Sequence, residues 1–240
     1  MRLAIGVADG PYRLRSASDA AWVPSYGYDQ RSGGASRRIA DAFRAVLRMI
    51  VPVLALSAAL CSLYLYMDTP VPFLAQTPER WLNVSHLLLP VAFLTIHLTN
   101  RRYGPAYAFA QIVLSFALLS AVTLFGTAIV QRMLPPTILP SVREVAAFGG
   151  AFLVAGFLAI VAFDGSRGPR WWMAPLIGSI VAALVYPPVF YPAAYAGTAM
   201  PWFNDMAVHA GVLAGGAVLM LLPFWLLRRI IQPLPGYGGF

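Results

Sequence analysis

The 240-residue chain is 59% hydrophobic and only 11% charged, with a mean hydropathy of +0.69. Soluble domains average about 25% charged residues, so a soluble enzyme and a disordered tail are excluded, and a lone cysteine, Cys61, excludes a disulfide scaffold. The formal charge of +8 comes from arginine, because all 17 basic residues are Arg.

Residues 1–36 are rich in Gly, Ser, Ala, Arg and Asp and have no sustained apolar period. They read as a flexible cytoplasmic leader. A cleavable signal is not expected, since the first apolar run starts too late and is too long. Arg37–Arg48 then places Ile39, Ala42, Phe43, Val46 and Leu47 near one helical face, an interfacial helix leading into the first span.

Six apolar runs follow, each close to the roughly 20 residues that a helix needs to cross a bilayer. They lie near Met49–Met67, Trp81–Thr99, Ala106–Val130, Val145–Phe163, Trp171–Tyr195 and Met206–Leu227. None alternates as barrel strands do. The predicted fold is all-α: a polytopic membrane protein, a bundle of six transmembrane helices forming one domain over 37–232. A cytoplasmic tail, 233–240, follows.

Arginine placement predicts the orientation. The segment before the first span, the loops after spans two and four, and the tail together hold 14 arginines. The opposite side holds 3, Arg80, Arg132 and Arg143. The positive-inside rule then puts both termini in the cytoplasm, which implies multi-pass insertion in a cell inner membrane. The basic excess is topogenic, and no nucleic-acid partner is expected.

Tryptophans at span ends (Trp81, Trp171, Trp172, Trp202, Trp225) fit an interfacial belt. All three histidines fall inside spans: His86 and His97 in the second, His209 in the sixth. Ionisable groups at that depth face a bundle interior or an aqueous cavity. His86 and His97 are separated by ~16 Å along a helix and ~20° around it, so they do not share one metal. Neither a metal site nor another cofactor is expected. Pro52, Pro90, Pro187, Pro188 and Pro223 interrupt spans, and such kinks surround substrate sites in transporters. Gly211 and Gly215 form a GxxxG that permits close helix approach. No Ser–His–Asp pattern, paired intramembrane acids, P-loop or HExxH is present, so no enzyme is expected.

Leu87–Tyr107 (LLLPVAFLTIHLTNRRYGPAY) carries Pro90, Phe93, Leu94, Thr95, Asn100, Tyr103 and Gly104 in a pattern similar to one family of carriers. Arg170–Pro175 (RWWMAP), Gly178, Trp202, Val208, Leu222 and Pro223 extend the likeness. The chain resembles the queuosine-precursor transporters, also called vitamin-uptake-transporter-like, over most of residues 80–230. The resemblance implies six spans, cytoplasmic termini and 7-cyano-7-deazaguanine as substrate. Departures from the pattern are specific. Where the family has acids, His97 and His209 stand here. Arg101 replaces its Glu, Ser179 its amide, Ala182–Ala183 its Asp-Thr and Leu213 its lysine.

The expected function is therefore an integral inner-membrane transporter that imports a small heterocyclic nutrient, with changed specificity. Its expected substrate-binding residues are His97, Asn100, Ser179, Tyr186, His209 and Gln111. The histidines would contact substrate or relay a proton, Asn100 and Ser179 offer neutral hydrogen bonds, and Tyr186 a stacking face. Expected partners are a small-molecule substrate and the lipid bilayer, with a homo-oligomer or an energising subunit left open. The alternative is a non-transporting membrane scaffold, or a substrate-binding subunit that needs an energising partner.

Overall fold

The computed structural model describes residues 35–67, 69–71, 82–133 and 141–234, leaving out the side chains of 35–38, 40–41 and 122–133. The leader up to residue 34, Trp81 and the last six residues, 235–240, lie outside the described residues. All described elements are helices, joined by turns and one isolated bridge, Pro70 to Asn83. They are α1 (Ala35–Leu65), α2 (Val84–Tyr103), α3 (Pro105–Met133), α4 (Val142–Gly165), α5 (Met173–Tyr195), α6 (Trp202–Leu219) and α7 (Leu221–Leu227). Two units are distinguished, Met1–Phe43 and Arg44–Phe240. Within the first, only the opening of α1 is described.

Among the described residues, four helices are long and apolar enough to cross a membrane: Ala42–Leu65, Val142–Gly165, Met173–Tyr195 and the combined Trp202–Leu227. Leu54, Val161, Leu184, Leu219 and Leu222 are more than half exposed, as the lipid-facing side of a membrane protein requires. α2 falls outside this set because it carries two histidines, Asn100 and the Arg101–Arg102 pair. α3 qualifies only as a shorter apolar stretch, Pro105–Ala121, among the described residues. The interfacial segment and the first span form one unbroken helix of 31 residues rather than two elements.

Local chemistry explains the boundaries. α4 opens on a reciprocal capping box: the Glu144 N–H donates to Ser141 Oγ (3.2 Å) and the Ser141 N–H to Glu144 Oε2 (2.8 Å). α2 ends at Gly104, whose φ of 83° is costly for any residue with a Cβ. The break between α6 and α7 at Met220 follows from Pro223. Its ring lacks an N–H and crowds the carbonyl four residues back, that of Leu219, the last residue of α6. By contrast α5 stays one helix through Pro187, Pro188 and Pro192.

α4 and α5 form the most extensive helix pair. Its seam is small: Ala151, Ala155 and Ala159 on α4 and Ala182 and Ala183 on α5 are fully buried or nearly so. Gly178 completes it, since a Cβ there would sit 2.7 Å from His97 Cε1 and 3.0 Å from the Ala159 carbonyl. Small side chains let backbones approach where lipid offers no hydrophobic drive between helices. α2 and α6 meet the same way, but through Gly216 against the Pro90 ring. The expected GxxxG contact is corrected: Cβ atoms at Gly211 and Gly215 would meet nothing within 4 Å, because both residues face outward.

Candidate functional site

At the end of the bundle where α2, α4 and α6 begin and α1 and α5 finish lies a cavity of about 320 Å³. In liquid terms this is roughly ten water volumes, at the small end of ligand pockets. Leu63, Met67, Leu89 and Met200 supply apolar wall. The chemistry comes from His86 on α2, Glu144 on α4, Tyr186, Tyr191 and Tyr195 on α5, and Asp205 and His209 on α6.

His86 and His209 stack at 3.8 Å between ring centroids, 25° from parallel. His86 sits at the third position of α2, where its Nδ1 accepts the Asn83 N–H at 3.4 Å. A neutral His86 therefore carries its proton on Nε2, which lies 3.4 Å from the Tyr191 hydroxyl. His209 is boxed by His86 on one face and by the Tyr186 and Tyr191 rings in edge contact, 5.5 and 5.8 Å away. It is 3% exposed, yet neither ring nitrogen has a hydrogen-bond partner. A buried polar atom without a partner costs about 1–3 kcal/mol.

Aromatic rings continue from the histidines. Tyr186 stacks on Phe190 (5.5 Å), and Phe148 meets Tyr186 edge-on (6.4 Å). The Tyr195 hydroxyl donates to Glu144 Oε1 at 2.9 Å, which fixes that carboxylate beside the rings. Spacing on α5 explains the wall, as Tyr186, Phe190, Tyr191 and Tyr195 recur at helical intervals on one face.

The six residues expected at the site divide between four places. Tyr186 and His209 line this cavity together. His97 and Ser179 form a separate buried pair, Nε2 to Oγ 3.0 Å, with His97 stacked on Phe163 at 5.1 Å. Eleven residues beyond His86 on α2, this pair lies ~16 Å deeper. Asn100 latches α2 to the end of α4: Arg167 Nη2 donates to its carbonyl (2.9 Å) and to its Oδ1 (3.0 Å). Gln111 on α3 donates from Nε2 to the Pro52 carbonyl of α1 at 2.8 Å. It borders a second, apolar cavity of about 320 Å³.

Absent from the expected site were His86, Tyr191, Tyr195, Glu144 and Asp205. The repeated aromatics of Tyr186–Tyr195, flanked by acids at the ends of neighbouring spans, were the available signal. Among the described residues no cluster of three or more His, Cys, Asp or Glu is placed to hold a metal ion. No family model matches the chain, and comparison with curated proteins and with solved structures gives no match. The family resemblance rests on the residues quoted for it.

The Asn100 latch is open to direct measurement. Asn100→Ala removes the side-chain acceptor of a charged donor, so thermal denaturation is expected to register a loss of about 1.5–3 kcal/mol. Ligand binding in the cavity should stay unchanged, because Asn100 does not line it.

Proposed function

We propose that the chain is a six-span membrane carrier that takes a small heterocyclic nutrient from outside the cell. In this reading α1 to α5 each cross the bilayer, and α6 with α7 makes the sixth crossing. Both termini are cytoplasmic, following the arginine distribution. The end of the bundle that holds the cavity then faces outward, where an importer must first meet its substrate.

One observation carries the reading: a cavity walled by aromatic rings and lined by His209, whose two ring nitrogens are buried without partners. Flat rings stack on Tyr186 and Tyr191, and a heterocycle carries the N–H groups and lone pairs that His209 lacks partners for. Apolar walls with a few convergent polar groups are the usual form of a small-molecule site. The family resemblance makes 7-cyano-7-deazaguanine the first compound to test.

The test is uptake of labelled 7-cyano-7-deazaguanine by cells that lack a carrier of their own. Saturable uptake above the empty-vector level is the expected result. Uptake equal to the vector removes that substrate. Tight binding by the purified protein without any uptake would make the chain a binding subunit rather than a carrier.

A further inference from the structure

We propose that the cavity selects a positively charged ring, a small planar organic cation, over neutral and anionic rings of the same size. The proposal deepens the reading of this cavity as a substrate site and rests on it.

Charge in the cavity is one-sided. Glu144 and Asp205 both line it, and among the described residues no arginine does. The chain has no lysine to serve instead. Arg143, next to Glu144 in sequence, is committed elsewhere, donating to the Ala193 carbonyl at 2.8 Å and the Ala196 carbonyl at 2.7 Å. Glu144 accepts from the Tyr195 hydroxyl and the Ser141 N–H, both neutral donors. Asp205 has neither a hydrogen bond nor an ion pair among the described residues. Two carboxylates thus face one small space without a cationic partner among the described residues.

Helix ends act against this charge and do not cancel it. α2, α4 and α6 begin at the cavity and α1 and α5 end there, so half-charges of about +0.5 at each start and −0.5 at each end leave a net of roughly +0.5. Glu144 and Asp205 lie in the first turns of α4 and α6 and each brings a full negative charge. The balance remains negative, and low-dielectric walls strengthen its effect on a ligand.

The aromatic lining points the same way. Phe148, Tyr186, Phe190, Tyr191 and Tyr195 surround the space, and ring faces attract cations through their quadrupole. His209 adds two nitrogens that need partners, which suits a ring bearing its own N–H or amide group. An anion would meet two carboxylates, and a neutral ring would leave Asp205 without a counter-charge.

The test uses full-length purified protein and three probes of one ring size: 1-methylnicotinamide (a cation), nicotinamide (neutral) and nicotinate (an anion). Isothermal titration is expected to find the cation bound at least tenfold more tightly than nicotinamide, with no measurable nicotinate binding. Asp205→Asn should cut the cation's advantage to below threefold and leave the melting temperature without ligand unchanged. Glu144→Gln provides a second variant, since its amide oxygen can accept the Ser141 N–H while its NH2 donates to the Tyr195 hydroxyl oxygen. Equal or tighter binding of nicotinamide, binding of nicotinate, an advantage that survives Asp205→Asn, or no binding of any probe at millimolar concentration would overturn the proposal. Failure of carriage looks different: the charge preference persists in titration while vesicles reconstituted with the protein take up nothing.

Discussion

His209→Leu should abolish uptake and leave the protein at least as stable as the parent. The two halves of this expectation have one cause. His209 is 3% exposed, and both of its ring nitrogens lack partners. Leucine fills similar space without those polar atoms, so the cost of burying them, about 1–3 kcal/mol, is relieved. Each kcal/mol corresponds to about 2–4 °C in melting temperature for a chain of this size. His86 keeps its own bonds to Asn83 and Tyr191, so the wall behind the substituted residue persists. The substrate loses a cavity-lining side chain whose ring nitrogens are both unpartnered, and affinity should fall at least tenfold, about 1.4 kcal/mol. A histidine serving only to pack would give the reverse pattern, lower stability with uptake intact. Thermal denaturation and uptake measured on the same variant separate the two.

Gly216→Val should be the most damaging single change to the fold. A Cβ at Gly216 falls on the Pro90 ring, which is held rigidly inside α2. Neither partner is a flexible side-chain end, so the helices themselves must part. Forcing extra carbons into packed contacts costs about 1–3 kcal/mol, and a β-branched residue against proline belongs at the upper end. The melting temperature should drop by roughly 5–10 °C. Pro90→Ala in the same chain should restore part of the loss, and a double-mutant cycle reads the coupling directly. Gly211→Ala and Gly215→Ala serve as controls that do not lower the melting temperature, because open space surrounds both and alanine favours a helix over glycine. Cavity and contact are linked: Pro90 stands one turn beyond His86 on α2, and Gly216 two turns beyond His209 on α6. Spreading these helices therefore pulls the stacked imidazoles apart, and uptake should fall with stability.

Helical character was legible in the chain because it is written into composition. Long apolar runs ended by Arg48, Arg101, Glu144, Asp164 and Arg228 mark most of α1, α2, α4, α5 and the combined α6 and α7 to within a few residues. α2 runs on through Arg101 and Arg102, since arginine is a good helix former and the stop is set by Gly104. What a single sequence does not carry is the rotation of each helix against its neighbours. His86 and His97 share one face of α2, and nothing in their spacing says which meets His209. Depth decides it: α6 runs antiparallel to α2's partner α5, which brings His209 level with His86 and leaves His97 beside Ser179 and Phe163. GxxxG failed for a related reason. Its spacing guarantees a small-residue stripe, but Gly216, next to the motif, is the glycine that faces α2.

Acids at span ends were also easy to pass over. Glu144 reads as a helix-capping residue, and it is one, yet the same carboxylate accepts from Tyr195 and lines the cavity. Its two functions use different oxygens, Oε2 toward the Ser141 N–H and Oε1 toward the tyrosine. Asp205 likewise lies in the first turn of α6, where the helix dipole favours it, and also faces the cavity. The polar groups of the cavity come from α2, α4, α5 and α6, so the signal for it is distributed over four helices, while His97, Asn100 and Gln111 are buried elsewhere.

Substrate is proposed to bind in the cavity between His86, Tyr186 and His209. The most direct measurement is uptake of labelled deazapurines, purines and vitamins by carrier-deficient cells expressing either the parent chain or His209→Leu at matched protein levels. Saturable uptake of at least one compound by the parent, lost in the variant while its melting temperature holds or rises, is the predicted result. Uptake that survives His209→Leu unchanged, or a parent chain that carries no compound above the vector level, would contradict it.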